Sequence, residues 1–395
     1  MPARPSVLTV AHVAHTAERG GAELALARVL ASDCRQWRAR LVVPGPLRGG
    51  AFDGLPGDGL AGVEVRAEGA PQPPGASRAT PWAAIRFALS LVRQAYRTRR
   101  SGAFRGAQVV HANSTRAAVY ASLGLLGTRT PLVVHLRDRV EAEAIGRFGL
   151  LAFRLTAARR AKGFIANSSA TAATIRPLLR ADQFVEVVPS AIGVLRADAA
   201  VGGADASVRR GPVRIGMVAR LDPWKGQEQL IRAYAAADIE GRATLTLIGS
   251  AAFGHEAYES RLRTLVGQLG LRDVTFAGFR TDVQDRIDHL DVCVQYSTRP
   301  EPLGQNVLQY LARGRAVIAA AEGGPLEWVT DGVNGLLVPP NDIASLSDAL
   351  RRLVDDAPLR ATLGAGALAT EGLPTDCEVS RAHARVFARA ASGSH

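Results

Sequence analysis

The sequence has few cysteines, almost no lysine and no long apolar run, and each shortage excludes a class of protein. Its three cysteines, Cys34, Cys293 and Cys377, are odd in number and widely spaced along 395 residues. From them we expect neither a disulfide framework nor a zinc-binding pattern, and a reducing cytoplasm suits such a chain. No stretch of about 18 apolar residues is present, so no transmembrane helix is predicted.

Lysine is nearly replaced by arginine, and the basic residues are unevenly distributed. Residues 1–190 hold 26 Lys+Arg and 12 Asp+Glu, which gives +14, whereas residues 191–395 hold 22 and 24, which gives −2. A basic N-terminal half indicates an anionic surface, acceptor or membrane as its partner. The alternative interpretation is a compositional bias toward arginine, because Lys162 and Lys225 are the only lysines.

Short apolar runs alternate with helix-like segments through most of the chain, a pattern typical of parallel sheets with crossover helices. We predict two doubly wound α/β domains, 1–190 and 212–375, with a cleft between them and a flexible linker at 191–211. The span 45–80 is rich in Gly and Pro and predicts an irregular loop. A C-terminal helix at about 376–391 can pack back on the first domain.

A strand–loop–helix unit, MVARLDPWKGQEQL, holds two cations that suit a diphosphate. The predicted strand ends at Ala219, and Gly226 opens the next helix. Arg220 can bind two phosphate oxygens at once, while Lys225 acts as a point charge beside the helix N-terminus. The alternative is a surface loop whose arginine and lysine are solvated.

Glu301 stands on a Pro/Gly loop before a helix-like run. The amides of Leu303 and Gly304 can face an anion there, whereas Pro302 has no N–H to donate. A carboxylate at the mouth of such a helix can hold hydroxyl groups beside the anion. The alternative is a plain acidic N-cap.

Glycines and histidines at predicted strand ends supply further candidates. Gly20 and Gly21 follow the first strand, where they permit close approach of a phosphate or acceptor, or form a simple turn. His135 and His111 end two other strands, where an imidazole can hold a hydroxyl group or take a proton. A purely structural role is the alternative for both histidines.

The segment 82–100 predicts a helix with an apolar stripe and many arginines. The stripe comprises Trp82, Ile85, Leu89, Val92 and Tyr96. Such a helix could dock on anionic lipid. We favour a crossover helix whose stripe packs on the sheet and whose arginines are solvated.

Taken together, these motifs resemble the retaining GT-B glycosyltransferases of family 4 over nearly the whole chain. The resemblance is most specific in the C-terminal half. The matching elements are G-G-A-E at 20–23, the phosphate clamp at 219–226, F-x-G-x at 276–279, the acidic loop at 300–304, G-G-x-x-E at 323–327 and D-G-x-N-G-x-L-V at 331–338. It implies two Rossmann-like domains that face each other across a cleft, the first binding the acceptor and the second the donor.

The resemblance also implies roles for individual residues. Arg220 and Lys225 would stabilise the leaving diphosphate, Glu301 would position the sugar, and His135 would contact the sugar or the acceptor. These four form the expected catalytic set. The expected donor-binding positions are Gly20, Gly21, Gly278, Phe279, Pro302, Leu303, Gly304 and Gln309.

Gln309 departs from the family pattern, in which two glutamates stand with seven residues between them. Glu301 is present, but the second position is glutamine. The second acid commonly binds the ribose hydroxyls, and a charged hydrogen bond is about twice as strong as a neutral one. Glutamine keeps an acceptor oxygen, so we expect ribose binding that is retuned or weakened by about 1 kcal/mol, with activity retained.

The implied activity is a metal-independent, retaining transfer of a hexose-type sugar from a nucleotide sugar to a hydroxyl group. A UDP-sugar is expected as the donor in preference to a GDP-sugar. No cofactor is expected, because the nucleotide sugar is a substrate. The acceptor would be a small molecule, a lipid or a glycan, and no nucleic acid is expected as a partner. The alternatives are a sugar-nucleotide epimerase, a transferase that uses sugar phosphates, and a non-catalytic sugar-nucleotide-binding protein.

The expected compartment follows from the first residues and the charge. The start, MPARPSVLTVAHVAH, passes from a short basic lead into a strand-like run, so no signal peptide is predicted. We therefore expect the cytoplasm, with peripheral contact to an anionic membrane through the basic N-terminal domain.

Overall fold

The computed structural model describes residues 7–45, 47–55, 62–69, 81–197, 211–251 and 256–392. The chain divides into two compact units. Unit 1 comprises Met1–Ala191 and Pro374–His395, and unit 2 comprises Ile192–Leu373. Unit 1 is therefore discontinuous in sequence. Among the residues described, no helix has the length and apolar character that a membrane crossing requires.

Unit 1 is built on a seven-stranded parallel sheet. Its strands are β1 Thr9–Val13, β2 Arg38–Val43, β3 Val63–Ala67, β4 Val109–Ala112, β5 Leu132–Leu136, β6 Gly163–Ala166 and β7 Phe184–Val187. They lie in the order β3-β2-β1-β4-β5-β6-β7, so the order reverses between β1 and β4. The first helices are α1 Gly21–Ala31, α2 Pro81–Arg100, α3 Thr115–Gly124, α4 Ala142–Ile145, α5 Arg147–Leu155, α6 Ala157–Arg160 and α7 Ser169–Ile175.

Unit 2 repeats the arrangement with six parallel strands in the order β10-β9-β8-β11-β12-β13. The strands are β8 Val213–Val218, β9 Ala243–Ile248, β10 Val274–Gly278, β11 Val292–Gln295, β12 Ala316–Ala320 and β13 Leu336–Val338. The helices are α8 Gln227–Ala236, α9 Glu256–Gln268, α10 Val283–Asp288, α11 Gln305–Ala312, α12 Ile343–Asp355 and α13 Ala357–Leu368. The last helix, α14 Asp376–Ser392, belongs to unit 1.

The central strands are short and apolar because helices cover both faces of each sheet. All residues of β4, β5 and β6 are buried, and so are those of β11 and β12. In unit 1, α14 contributes Val386 and Phe387 to the core, and neither side chain is exposed. Few polar residues interrupt these buried strands, and in unit 1 they include His111 in β4 and His135 in β5.

The predicted alternation of strands and helices agrees with these elements, with one correction in the Gly/Pro-rich span 45–80. That span contains β3, which pairs with β2 from Val63 to Ala67. The run VEVRA is a strand of only five residues whose burial is incomplete, so its apolar signal is weak. The rest of that span and most of the predicted linker lie outside the described residues.

The expectation that the cysteines form no disulfide is wrong. Cys34, which follows α1, is bonded to Cys377 in α14, and only Cys293 is free, within the chain segments described. An ion pair beside the disulfide, Arg28 with Asp376 at 2.8 Å, joins the same two helices. The pairing could not be predicted from a sequence separation of 343, because spacing along the chain says nothing about distance in the fold.

For the arginine-rich helix, the expected crossover position between β3 and β4 and the exposed arginines agree with the structure, but the expected buried stripe is wrong. Ile85, Leu89, Val92 and Tyr96 of α2 are 51–62% exposed, so this stripe does not pack on the sheet. A second stripe, Phe87, Leu91 and Ala95, is buried in its place. The helix has two apolar faces, and periodicity alone could not say which one the fold would cover. The side chain of Trp82 lies outside the described residues.

Candidate functional site

The carboxyl edge of the sheet in unit 2 gathers three of the predicted catalytic side chains. The strand order of this sheet reverses between β8 and β11. Ligands of open parallel sheets bind beyond the carboxyl ends of the strands at such a reversal. The loop after β8 carries Arg220 and Lys225, and the loop after β11 carries Glu301.

Asp222 organises the loop after β8. It caps the short 3-10 turn Pro223–Lys225, where its side chain accepts a hydrogen bond from the backbone N–H of Trp224. Its Oδ2 also accepts a hydrogen bond from Arg220 Nη2 at 2.8 Å. The Asp222 side chain is only 8% exposed, so it fixes the arginine at the end of β8.

Lys225 and Glu301 meet across the strand reversal. Lys225 Nζ lies 2.9 Å from Oε1 and 2.7 Å from Oε2 of Glu301. Ser297 Oγ donates to Glu301 Oε2 at 2.5 Å, and Gln295 Nε2 donates to Ser297 Oγ at 2.8 Å. The side chains of Lys225 and Glu301 are 21% and 9% exposed. Removing either partner would leave a largely buried charge unpaired, which is costly.

Glycines allow the backbone segments around this ion pair to approach closely. Gly226, at φ 80°, ends the 3-10 turn, and a Cβ there would lie 1.8 Å from the carbonyl oxygen of Tyr296. A Cβ at Gly323, after β12, would lie 2.4 Å from the carbonyl oxygen of Glu301. The next residue, Gly324, donates its N–H to that carbonyl at 2.7 Å. These positions require glycine, because a side chain would push the acidic loop away.

Helix α11 is tied to the end of β8. The N–H of Val218 donates to the Tyr310 hydroxyl at 2.7 Å, and Asn306 Nδ2 donates to the Val218 carbonyl at 3.1 Å. Burial raises the pKa of Tyr310, so its phenol stays protonated. Gly304, at φ 77°, is the N-cap of α11. The helix N-terminus is therefore held on the same edge of the sheet as Arg220.

The other predicted donor residues of unit 2 occupy two separate places. Pro302 and Leu303 are buried on the loop between Glu301 and α11, whereas Gln309 is half-buried within α11. Gly278 ends β10, the outermost strand beyond β9, and Phe279 follows with 44% of its side chain exposed. The structure thus joins Arg220, Lys225 and Glu301 at the strand reversal and leaves Phe279 at the sheet's edge.

The predicted residues of unit 1 lie at or below strand ends. Gly20 is the N-cap of α1 and Gly21 its first residue. His135 in β5 is 1% exposed, and its Nδ1 lies 3.4 Å from Nε2 of His383 in α14. His111 is fully buried one strand away in β4. Both histidines therefore lie in the interior of unit 1.

Several polar residues of the site were missed from the sequence. Ser297 and Gln295 hold the carboxylate of Glu301, and the Trp224 ring lies 3.9 Å from Lys225 Nζ. The run VCVQYS carried a signal for the first two, because polar residues follow a buried strand there. Trp224 stands inside the predicted clamp, where a cation over its ring is stabilised.

Buried histidines form the one group that could hold a metal ion in the portion of the chain that the structure describes. It comprises His111, His135 and His383 of unit 1, with one ring nitrogen from each lying within 4.8 Å of the others. The ion pair in unit 2 belongs to no such group among the described residues.

Two family models match the chain. The model "Glycosyltransferase Family 4" matches residues 20–194, and the model "Glycosyl transferases group 1" matches residues 205–369. Together they span most of the residues of units 1 and 2.

The curated relatives match over part of their length. The 2-deoxystreptamine glucosyltransferase of Streptomyces kanamyceticus is 31% identical over 222 residues, which are 53% of this chain and 56% of that protein. The D-inositol 3-phosphate glycosyltransferase of Stackebrandtia nassauensis is 36% identical over 163 residues, which are 39% of this chain and 36% of that protein. The chain thus spans between 36% and 56% of these two relatives.

Solved structures match over nearly the whole chain. HepE of Anabaena, in complex with UDP-glucose, is 26% identical, covers 97% of this chain and 100% of its own, and gives a TM-score of 0.78. Sucrose-phosphate synthase from Thermosynechococcus elongatus is 19% identical, covers 97% of this chain and 98% of its own, and gives a TM-score of 0.75. These likenesses and the two parallel sheets confirm the predicted GT-B fold class.

Proposed function

We propose, from the premise that this chain belongs to family 4 of the glycosyltransferases, that it moves a hexose-type sugar from a nucleotide sugar to a hydroxyl group with retention at the anomeric carbon. The observation that carries the proposal is the Lys225–Glu301 ion pair at the strand reversal of unit 2. One partner suits a phosphate and the other suits sugar hydroxyls, and 76 residues separate them in sequence.

Each polar group at this edge has a separate task in the proposed reaction. The bond between the anomeric carbon and the diphosphate oxygen breaks, and a bond from that carbon to the acceptor oxygen forms. Lys225, Arg220 and the amides near Gly304 would stabilise the negative charge that develops on the diphosphate. Glu301, held by Ser297, would bind sugar hydroxyls. The acceptor proton would pass to the departing diphosphate or to water.

The donor must compete with the ion pair when it binds. A diphosphate that approaches Lys225 replaces one anion by another, so the lysine keeps a partner throughout. The Glu301 carboxylate keeps the hydrogen bond from Ser297 and gains sugar hydroxyls. This exchange avoids leaving a buried charge unpaired at any stage.

The proposed donor carries UDP, with GDP as the rival. HepE, which matches over its full length, is crystallised with UDP-glucose, and this supports uridine for the present chain. Gln309 lies on α11, where the family pattern has a second glutamate. We propose that it weakens or retunes ribose binding while the transfer is retained.

His135 enters the proposal as a positioning residue. Its ring is 1% exposed, so it would act through the carboxyl end of β5 and not by touching the sugar. Two residues further on, Arg137 donates hydrogen bonds to Asn113 Oδ1 and Ser190 Oγ. His135 would thus support a strand end of the proposed acceptor-binding unit, for which we keep the predicted bounds 1–190.

The proposed acceptor side also contacts an anionic lipid surface through α2. The exposed stripe of Ile85, Leu89, Val92 and Tyr96 is accompanied by exposed arginines, namely Arg86, Arg93, Arg97 and Arg100. An apolar face with flanking cations is the pattern of helices that lie in a membrane interface. Each arginine near an anionic surface contributes about 1 kcal/mol. We keep the cytoplasm, at the inner face of its membrane, as the proposed compartment on the basic charge of the N-terminal half alone, because the Cys34–Cys377 disulfide removes the argument from the cysteines.

Turnover of purified chain with UDP-sugars and candidate acceptors tests the function. Lys225→Ala should lower kcat by about 100-fold, since one stabilising donor to the developing charge is lost. Lys162→Ala, which changes the chain's other lysine, should leave kcat unchanged. Far-UV circular dichroism shows whether both variants are folded.

The products separate this function from its alternatives. Free UDP together with a new glycoside supports the transferase. A changed sugar configuration without any acceptor indicates an epimerase, and use of a sugar phosphate indicates the related transferase. Equal kcat for Lys225→Ala and the wild type would refute the assigned role of the lysine, and donor binding without turnover would indicate a non-catalytic protein.

A further inference from the structure

Four buried histidines and a tryptophan of unit 1 form an almost continuous chain of hydrogen bonds. The first half begins at Trp37, whose indole Nε1 lies 2.8 Å from Nε2 of His12 in β1. His12 Nδ1 in turn lies 2.9 Å from Nδ1 of His111 in β4. His12 and His111 are paired in register across the strand reversal of this sheet.

Trp37 fixes the tautomers of this first half. An indole N–H can only donate, so Nε2 of His12 must accept. A neutral His12 therefore carries its proton on Nδ1 and donates it to Nδ1 of His111. The proton of a neutral His111 must then be on Nε2. Burial lowers the pKa of both rings well below the ordinary value, so both are neutral near pH 7.

The second half is fixed from its other end by a carbonyl group. His383 Nδ1 lies 2.8 Å from the carbonyl oxygen of Val379, one turn earlier in α14. A carbonyl can only accept, so His383 carries its proton on Nδ1 and accepts at Nε2. His135 Nδ1, at 3.4 Å, is the donor to that nitrogen. The lone pair of a neutral His135 is therefore on Nε2.

The two halves end in a complementary pair of buried atoms without partners. His111 Nε2, a donor, and His135 Nε2, an acceptor, are both buried and make no hydrogen bond. A buried polar atom without a partner costs about 1–3 kcal/mol. One ring nitrogen from each of the three histidines His111, His135 and His383 lies within 4.8 Å of the others. A water molecule that bridges two nitrogens by ordinary hydrogen bonds spans about 4.7 Å.

A divalent metal ion is the obvious alternative ligand for three clustered histidines. A metal bound at Nε2 of His111 would need the lone pair there, which moves the proton of that ring to Nδ1. That N–H would then face the N–H of His12, which cannot reverse because Trp37 donates to its other nitrogen. Coordination by His111 therefore requires either two opposed donors or a His12 anion, and both are unfavourable.

We propose that the gap between His111 and His135 is a binding site for one water molecule, and that the hydrogen-bond polarity set by Trp37 and Val379 excludes a metal ion from it. The water accepts from His111 Nε2–H and donates to His135 Nε2. The completed chain runs in a single direction from Trp37 to α14. It links β1, β4 and β5 to the C-terminal helix through polar contacts inside an otherwise apolar core.

Nitrogen-15 NMR of the full chain labelled at histidine tests the tautomers. The four rings should appear as one Nε2–H tautomer and three Nδ1–H tautomers, and their signals should not shift between pH 8 and 7. The signals of the chain's other four histidines, His15, His255, His289 and His395, are identified by replacing each with glutamine in turn. The single Nε2–H proton should show a cross-peak to a long-lived water. Two or more Nε2–H rings among the four, or no water cross-peak, would overturn the proposal.

Metal binding provides the second arm of the test. Protein dialysed against Zn²⁺ and then against buffer should retain less than a tenth of an equivalent, and Co²⁺ should give no absorption bands of a tetrahedral complex. One equivalent of either metal, lost in the His111→Gln variant, would show that the site takes a metal ion. The water site would then be wrong even if sugar transfer proceeds as proposed, because turnover is measured separately.

Discussion

Mild acid should destabilise unit 1 through its four buried histidines, His12, His111, His135 and His383. Burial is the largest cause that lowers the pKa of each, and it brings the pKa of His383 to about 4. The nearby cations Arg35 and Arg137 lower some of these pKa values further. Since the folded pKa is depressed, the unfolded chain binds protons that the native state does not, so stability is lost as pH falls below 6.5.

The size of the effect follows from these pKa values. For His383, with a pKa of 6.5 unfolded and about 4 folded, the loss of stability between pH 7 and pH 5 is about 2 kcal/mol. Burial also lowers the pKa of each of the other three well below the ordinary value, so each adds a loss of stability of the same sign. The loss from His383 alone is a substantial part of the roughly 5–15 kcal/mol by which a typical domain is stable.

Urea unfolding followed by Trp37 fluorescence measures this loss. Replacing Trp82, Trp224 and Trp328 by phenylalanine leaves Trp37, which packs against His12, as the reporter of unit 1. The free energy of unfolding should fall by about 2 kcal/mol or more from pH 7 to pH 5. His383→Gln should reduce that pH dependence by about 2 kcal/mol, whatever its effect on stability at pH 7. Free energies at the two pH values that agree within about 1 kcal/mol would refute the reasoning.

Three further predictions concern single residues. Gln309→Glu should lower the KM for a UDP-sugar several-fold by restoring a charged acceptor, whereas Gln268→Glu, at an exposed position of α9, should not. An unchanged KM in Gln309→Glu would show that residue 309 does not bind the ribose. Leu89→Asp should reduce co-sedimentation with phosphatidylglycerol vesicles at least fivefold, because it places a charge in the exposed apolar stripe of α2. Leu269→Asp in unit 2 should leave co-sedimentation unchanged. An equal loss of co-sedimentation in both variants would argue against docking by α2. Gly226→Ala should lower Tm and donor affinity, because its Cβ would lie 1.8 Å from the Tyr296 carbonyl oxygen. Gly267→Ala, whose Cβ would have no atom within 4 Å, should not lower Tm. A Gly226→Ala variant with the Tm of the wild type would contradict the close approach.

The fold was predictable because its strands carry strong local signals. Runs such as LVVHL and AVIAA are buried throughout, are apolar except for His135 and are bounded by turn residues, as is typical of buried parallel strands. β3 was missed because VEVRA is half-exposed and follows a Gly/Pro-rich stretch. For α2 the helical period was predicted correctly, but the wrong face was expected to be buried. Tertiary contacts with α3 determine which of the two apolar stripes is covered.

Less of the candidate site could be predicted, because its key contacts are long-range. The sequence indicated Lys225 and Glu301 as separate candidates. Only the order of the strands in the sheet brings the lysine Nζ to 2.7 Å from the glutamate Oε2. It did not suggest that Ser297 would hold the carboxylate. His135 and His111 were recognised at strand ends, but their partner His383 arrives from a helix 248 residues after His135. No local sequence pattern predicts a contact between residues so far apart in the chain.

The discontinuity of unit 1 has a consequence for synthesis on the ribosome. Because α14 follows the whole of unit 2 in the chain, nascent unit 1 lacks Val386, Phe387 and the partner of Cys34 until residues 376–392 emerge. Unit 2 is contiguous in sequence, so it can fold while unit 1 still exposes the apolar surface that α14 covers in the native state. The first half of the polypeptide is therefore the part that needs protection during translation, although it leaves the exit tunnel first.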